Sequence, residues 1–147
     1  MNKLQAFPPP VVALLLLGLA HISRKLFSLE VLPATSTGLV WTAVGLALGF
    51  SAAWQFRQIK TTTMPQGTPT ELVTLGAYLW TRNPMYLGLL TALTGIALYE
   101  GVLAFWLTPI AFFVIINSYH IPYEEAKLTA LFSGKYLSYC QQVRRWL

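Results

Sequence analysis

Residues 84–121 read PMYLGLLTALTGIALYEGVLAFWLTPIAFFVIINSYHI, a run of 38 in which Glu100 is the only charged side chain. As one straight helix the run would measure roughly 55 Å, against a hydrocarbon core of about 30 Å. It therefore has to fold back. Tyr99-Glu100-Gly101 is the natural hinge, because a charge and a glycine interrupt the apolar sequence there. The expected result is a helical hairpin with spans near 84–98 and 102–119, the second kinked at Pro109. Two further apolar runs, Pro8–Ile22 and Gly38–Phe56, precede it. The chain thus reads as an all-α membrane protein with about four transmembrane helices, the third and fourth forming the hairpin, and amphipathic cytoplasmic helices beyond. The first and third spans are short for a bilayer, so flanking groups are expected to snorkel or the membrane to thin.

Composition supports this class. Hydrophobic residues make up 55% of the 147 and charged residues 10%, where a soluble domain carries about 25% charged. The length suits one domain, 1–147. The net charge of +5 does not point to nucleic acid, since the basic residues stand in short groups at the edges of apolar runs and not in one patch. Arg24 with Lys25, Arg57 with Lys60, and Arg144 with Arg145 are such groups, an arrangement that fits lipid headgroups and positive-inside topology. With both termini cytoplasmic, Lys3, Arg57, Lys60, Arg82, Lys127, Lys135, Arg144 and Arg145 face inward and only Arg24 and Lys25 outward. A bacterial inner membrane is the expected location, with Ile59–Thr70 as a cytoplasmic loop and Glu100 outside. A signal peptide over residues 7–20 is the weaker reading, because Pro8, Pro9 and Pro10 sit poorly in such a segment. The single cysteine, Cys140, excludes an intrachain disulfide and a cysteine-rich metal site.

Two polar segments lie against the spans: TELVTLGAYLWTRNPMYLG at 70–88 and EEAKLTALFSGKYLSYCQQVRRWL at 124–147. In the first, Asn83 is a suitable N-cap and Pro84 a favoured first helical residue. On the plainest view this is a capped helix start with Arg82 at the lipid interface. A helix start also offers free N–H groups to an anion such as a cofactor carboxylate, with Arg82 to help. Gly76 and Gly88 would allow a ligand close to the backbone, and Tyr78 and Tyr86 could present aromatic faces to a cation such as a sulfonium. In the second segment, Leu128, Leu131 and Phe132 recur at helical spacing, as do Tyr136, Tyr139, Val143 and Trp146, with Gly134 as the break between two pieces. Glu124 and Glu125 lie just beyond the fourth span, where an acid wants a partner such as Arg82 or a cofactor group. His120 precedes Glu124 by four residues, which places both on one helix face unless Pro122 alters the register. A lone interfacial histidine is more often structural than catalytic. No metal site, phosphate-binding loop, HExxH or Rossmann glycine pattern is present, and His21 and His120 fall on different spans, which argues against bis-histidine haem.

The two segments together resemble the isoprenylcysteine carboxyl methyltransferase and phospholipid methyltransferase group of integral-membrane enzymes. A block of the type LVTxGxYxxxR(H/N)PxYxG is matched by Leu72, Val73, Thr74, Gly76, Tyr78, Arg82, Asn83, Pro84, Tyr86 and Gly88. A second, EExxL with a tyrosine-rich continuation and a basic tail, is matched by Glu124, Glu125, Leu128, Tyr136, Tyr139, Val143 and Arg145. The recognisable part covers about residues 54–147 and is similar to small bacterial members. The resemblance implies S-adenosylmethionine as cofactor, surrounded by Leu72, Val73, Tyr78, Asn83, Pro84, Met85, Tyr86 and Glu124, in a pocket that faces the cytoplasm. It departs from the eukaryotic carboxyl methyltransferases at Thr70 and Asn83, where they carry histidine, and at His120, where they carry arginine. The implied activity is methyl transfer to a lipophilic or amphiphilic amine, thiol or carboxylate entering from the bilayer. His120 is the best-placed general base for an amine or thiol, and would serve to orient a carboxylate. The rival reading is a small multidrug-type transporter or a lipid-binding scaffold, for which Glu100 is the one candidate coupling acid. Membrane lipids are the expected surroundings, and nucleic acid is not an expected partner.

Overall fold

The computed structural model describes residues 7–26, 29–59 and 70–147, all helix, turn and extended connection. In chain order, α1 spans Pro9–Leu26 and α2 spans Thr37–Gln58. A 3-10 turn over Gly76–Leu79 precedes α3, Pro84–Glu100. Next comes α4, Leu103–Ile115, which runs through a π-helical turn, Ile116–His120, into α5, Ile121–Gln142. Among the described residues, three stretches are long and apolar enough to cross a membrane: α1, α2 and the continuous run Leu103–Gln142. With 17 residues, α3 is shorter. Of the loop expected over Ile59–Thr70, residues 60–69 lie outside the described residues, as does Lys3 of the charge count.

The hairpin turns where its sequence requires. Gly101 ends α3 in the left-handed conformation at φ 70°, its N–H bonded to the Ala97 carbonyl, which is the glycine-favouring C-terminal cap. A side chain there would also collide with the Leu32 carbonyl, 2.4 Å from an added Cβ. The α1–α2 connection packs on this turn. Val31 and Leu32 donate to the Gly101 carbonyl, and Leu103 donates to Leu29. Arg24, in the last turn of α1, forms an ion pair with Glu100 at the end of α3. The acid on which the transporter reading relies is thus already partnered.

The tightest packing joins α2 to α3. Gly38, Gly45 and Ala52 recur every seven residues on α2 and are buried. Gly38 and Gly45 face Gly88, Ala92 and Gly95 of α3. A Cβ on Gly45 would come within 2.4 Å of the Ala92 nitrogen, and one on Gly95 within 2.4 Å of the Thr42 nitrogen. Lipid supplies no hydrophobic force between helices, so small residues that let backbones touch are the usual means of association. Trp41 and Trp54, near opposite ends of α2, stay exposed, as interfacial aromatic anchors do.

Two local details depart from the sequence reading. The break expected at Gly134 falls one residue earlier, at Ser133, whose φ of 44° and ψ of −119° kink a helix that otherwise continues. The helix α4 ends in a π turn that no residue pattern announced.

The α2–α3 contact gives a direct test. Gly45→Ala is expected to lower stability by about 1–3 kcal/mol through overpacking against fixed backbone. Gly18→Ala, with open space at its Cβ position, is expected to be neutral or to gain at most about 1 kcal/mol of helix propensity. Thermal unfolding of the two variants in one detergent measures the difference.

Candidate active site

The site begins with the 3-10 turn. Gly76 has φ 59°, a conformation glycine adopts without cost. The Gln55 side chain from α2 lies against it, its amide oriented to donate to the Leu75 carbonyl at 2.7 Å and accept from Ala77 N–H at 3.2 Å. That hook turns Tyr78 inward, where it is 5% exposed. Phe56 meets the Tyr78 ring edge-on at 5.6 Å, and Tyr139 of α5 donates its hydroxyl to the Tyr78 carbonyl at 2.6 Å. Residues 71–86 are thereby held between the end of α2 and α5, and the three enclose a cleft.

Two neighbouring acids of α5 in the cleft take different partners. Glu125 takes Arg82 Nη2 at 3.1 Å and Arg145 at 2.5 and 3.2 Å, so one carboxylate bridges two guanidinium groups. Glu124 instead accepts the Tyr86 hydroxyl at 2.5 Å. Arg82 is therefore the partner of Glu125 and not of Glu124. The apolar run ends at Ile121, and Glu124 follows it by three residues. Burial pushes its carboxyl up from 4.5 to about 7. The Tyr86 hydrogen bond and Lys127 pull the other way, while Glu125 adds to the rise. Burial, with Glu124 and Tyr139 nearby, also holds the Tyr78 phenol far above its ordinary 10.0, so it remains a neutral donor. Two buried polar atoms at the cleft, the Tyr78 hydroxyl and Arg82 Nε, have no hydrogen-bond partner, which is uncommon for buried donors.

Most of the residues singled out in the sequence converge here. Leu72, Val73, Tyr78, Arg82, Asn83, Met85, Tyr86 and Glu124 all line the cleft. Four do not. Pro84 is fully buried at the start of α3. Gly76 faces Gln55, and Gly88 faces Gly45 and Gly49, so both glycines admit neighbouring protein and not a ligand. His120 is 2% exposed in the π turn, its Nε2 at 3.1 Å from the Phe7 carbonyl, away from the cleft lining. Asn83 does not cap α3 with its side chain; its Nδ2 donates to the Arg145 carbonyl at 2.8 Å. Phe56 and Glu71 also line the cleft and were not anticipated. Phe56 looked like the end of a span, and only the Gln55–Gly76 hook brings it beside Tyr78.

Two measurements follow from the acids. The folded Glu124 carboxyl holds its proton more tightly than the unfolded one. Its contribution to stability is therefore complete below about pH 4.5 and lost as the pH rises to about 7. Glu124→Gln is expected to flatten the stability–pH curve in that window. Glu125→Gln leaves two arginines short of a counter-charge and is expected to cost roughly 1–3 kcal/mol, less than a fully buried pair because Arg145 is partly exposed. Chemical unfolding in detergent at several pH values separates the two.

An uncharacterized protein of Haemophilus influenzae is 43% identical over 63 residues, which is 43% of this chain and the whole of that protein. No solved structure matches the chain. The sequence profile of phospholipid methyltransferases matches residues 34–135, from just before α2 into α5 and across the cleft. The chain belongs to the phospholipid methyltransferase family.

Proposed function

We propose that the chain uses S-adenosylmethionine to methylate a lipophilic or amphiphilic nucleophile at the cytoplasmic face of a bacterial inner membrane. In this reading it is one domain, both ends are cytoplasmic, α3 crosses as a short fourth span, and α5 lies amphipathically at the interface. The observation that carries it is the convergence of Glu124, Tyr86, the unpartnered Tyr78 hydroxyl and the unpartnered Arg82 Nε on one cleft.

The residues present fit such a cofactor. Glu124 with the rings of Tyr78, Tyr86 and Phe56 offers what a sulfonium cation needs: a nearby carboxylate and aromatic faces. Arg82 and Asn83 offer donors to an amino-acid carboxylate. The enclosed cavity measures about 90 Å³ and shares Glu71, Leu72 and Tyr139 with an open groove of about 760 Å³. A nucleoside-bearing molecule needs several hundred Å³ in all, so it would use both.

When bound, S-adenosylmethionine supplies an electrophilic methyl group that needs alignment more than covalent help. The chain's share is positioning, worth up to roughly 7–11 kcal/mol in favourable cases. Glu124, near neutrality in its proton affinity, is suited to accept the proton of an amine or thiol. His120, expected as that base, is left to fill the junction of α1 and the π turn. An apolar groove of about 300 Å³, lined by Pro10, Leu46, Gly49, Phe50, Met85 and Leu89, lies among α1, α2 and α3. Met85 also lines the cleft, which supports a lipid-soluble acceptor reaching it from the bilayer. The transporter reading has no such support.

Charge provides the test. S-adenosylmethionine carries a sulfonium where S-adenosylhomocysteine carries a neutral thioether. Ionised Glu124 should favour the first. The affinity ratio of the two is expected to rise with pH and level off above about 7, and to lose that dependence in Glu124→Gln. A ratio independent of pH in the unaltered protein would overturn the assignment of Glu124. For topology, in a Cys140→Ser background, cysteines at positions 100 and 144 are expected to react with an impermeant thiol reagent from opposite sides of the membrane.

A further inference from the structure

At Val143 the chain leaves α5 in an extended conformation, φ −122° and ψ 131°, and residues 144–146 then bond to three separate elements. The Arg144 carbonyl accepts the Arg82 N–H at 2.9 Å. The Arg145 carbonyl accepts the Thr81 hydroxyl at 3.1 Å and Asn83 Nδ2 at 2.8 Å. The Arg145 guanidinium grips Glu125, which holds Arg82. Arg82 is therefore fixed twice, at its amide by residue 144 and at its guanidinium through Glu125. Beyond these contacts, Trp146 Nε1 donates to Asn117 Oδ1 at 3.1 Å, and its ring packs on Phe113 at 5.1 Å.

We infer that residues 143–147 form a clasp, anchored by Trp146 on Phe113 of α4 and on Asn117 of the π turn, that sets the position of Arg82 and Asn83 at the edge of the cleft. Trp146 and Asn117 are then positioning residues, neither of which lines the cleft. Asn117 is a polar amide just past the apolar run of α4, a placement that costs free energy unless its group is bonded. It sits in the π turn, and such turns often occur at functional sites. An extended segment loses about 1–2 kcal/mol of backbone entropy per residue on ordering. Its neighbours at 81–83 meet it mainly through backbone carbonyls, which any sequence supplies. The sequence-specific part of the clasp therefore falls on Arg145 and on the Trp146–Asn117 anchor.

The inference rests on the cofactor reading only for what the clasp positions, and the test keeps the two apart. Trp146→Phe keeps a ring for Phe113 and removes the N–H, and Asn117→Ala removes the acceptor. Binding of S-adenosylhomocysteine is compared with that of 5′-methylthioadenosine, which lacks the amino-acid end that Arg82 and Asn83 would hold. Each variant is expected to weaken S-adenosylhomocysteine roughly 3–10-fold, the scale of one lost hydrogen bond. 5′-Methylthioadenosine should stay within about twofold on the same scale, and the double variant should be no worse than either single one. In protein without added compound, amide exchange at residues 81–83 should quicken in both variants. Equal weakening of both compounds would mean general loosening and overturn the clasp, as would unchanged binding or unchanged exchange. If the unaltered protein binds neither compound, the cofactor reading fails, and the exchange result alone upholds or overturns the clasp.

Discussion

The contact of α2 with α3 through bare backbone is what the placement of the other elements depends on. Cβ atoms on Gly38, Gly45, Gly88 and Gly95 would all fall within 2.6 Å of backbone on the facing helix. Helices with ordinary side chains at the contact pack about 8–10 Å apart, so larger residues would push this pair outward. The far end of α2 carries Gln55 and Phe56, and the near end of α3 carries Asn83 to Tyr86. The glycine contact therefore fixes the separation of two cleft walls. Gln55 then determines where the 3-10 turn sits, and Tyr78, pinned between Phe56 and Tyr139, completes the enclosure.

Within that frame the polar residues follow one rule. Charge this close to hydrocarbon is held only when paired. Glu125 answers two arginines, and Arg24 answers Glu100 at the opposite end of α3. Glu124 meets the rule differently: burial favours its protonated form, and a phenol hydrogen bond partly offsets that preference. An acid poised between forms can stay neutral at the membrane boundary and ionise when a cation arrives. Its neighbour is locked in charge by its two partners. Adjacent in sequence, the two glutamates have unlike chemistry because of what they touch.

Much of the helical plan was legible from residues alone. The 38-residue apolar run cannot be one helix in a bilayer, and Glu100-Gly101 marked the turn because a charge and a glycine interrupt it, the glycine then taking the left-handed cap. Of the cleft residues, Arg82, Glu124 and Glu125 were legible as polar groups at a membrane boundary, whereas Leu72, Val73 and Met85 were named only through the family resemblance. What stayed hidden was tertiary in origin. Gly88 in a motif looks like room for a ligand, and only the facing Gly45 and Gly49 show that it makes room for a helix. Phe56 belongs to the cleft through the conformation of Gly76, twenty residues away in sequence. His120 precedes Glu124 by four residues in helix, but at the end of the π turn its ring is buried against the Phe7 carbonyl and not in the cleft.

The position of the cleft also bears on how these residues could carry the proposed chemistry. Transfer of a methyl group from a sulfonium asks for no covalent intermediate and no metal, only alignment and the exclusion of water. A cleft made where spans end meets both demands at once. Its lining joins apolar Phe56, Val73 and Met85, which favour dryness, to Arg82 and Asn83, which supply donors. Met85 lies on both the cleft and the apolar groove among α1, α2 and α3. An acceptor with a hydrocarbon tail could therefore keep the tail in lipid while its polar end reaches Glu124. The groups that such an acceptor and a water-soluble cofactor require are different, and the end of a helical bundle is where one short chain can present both.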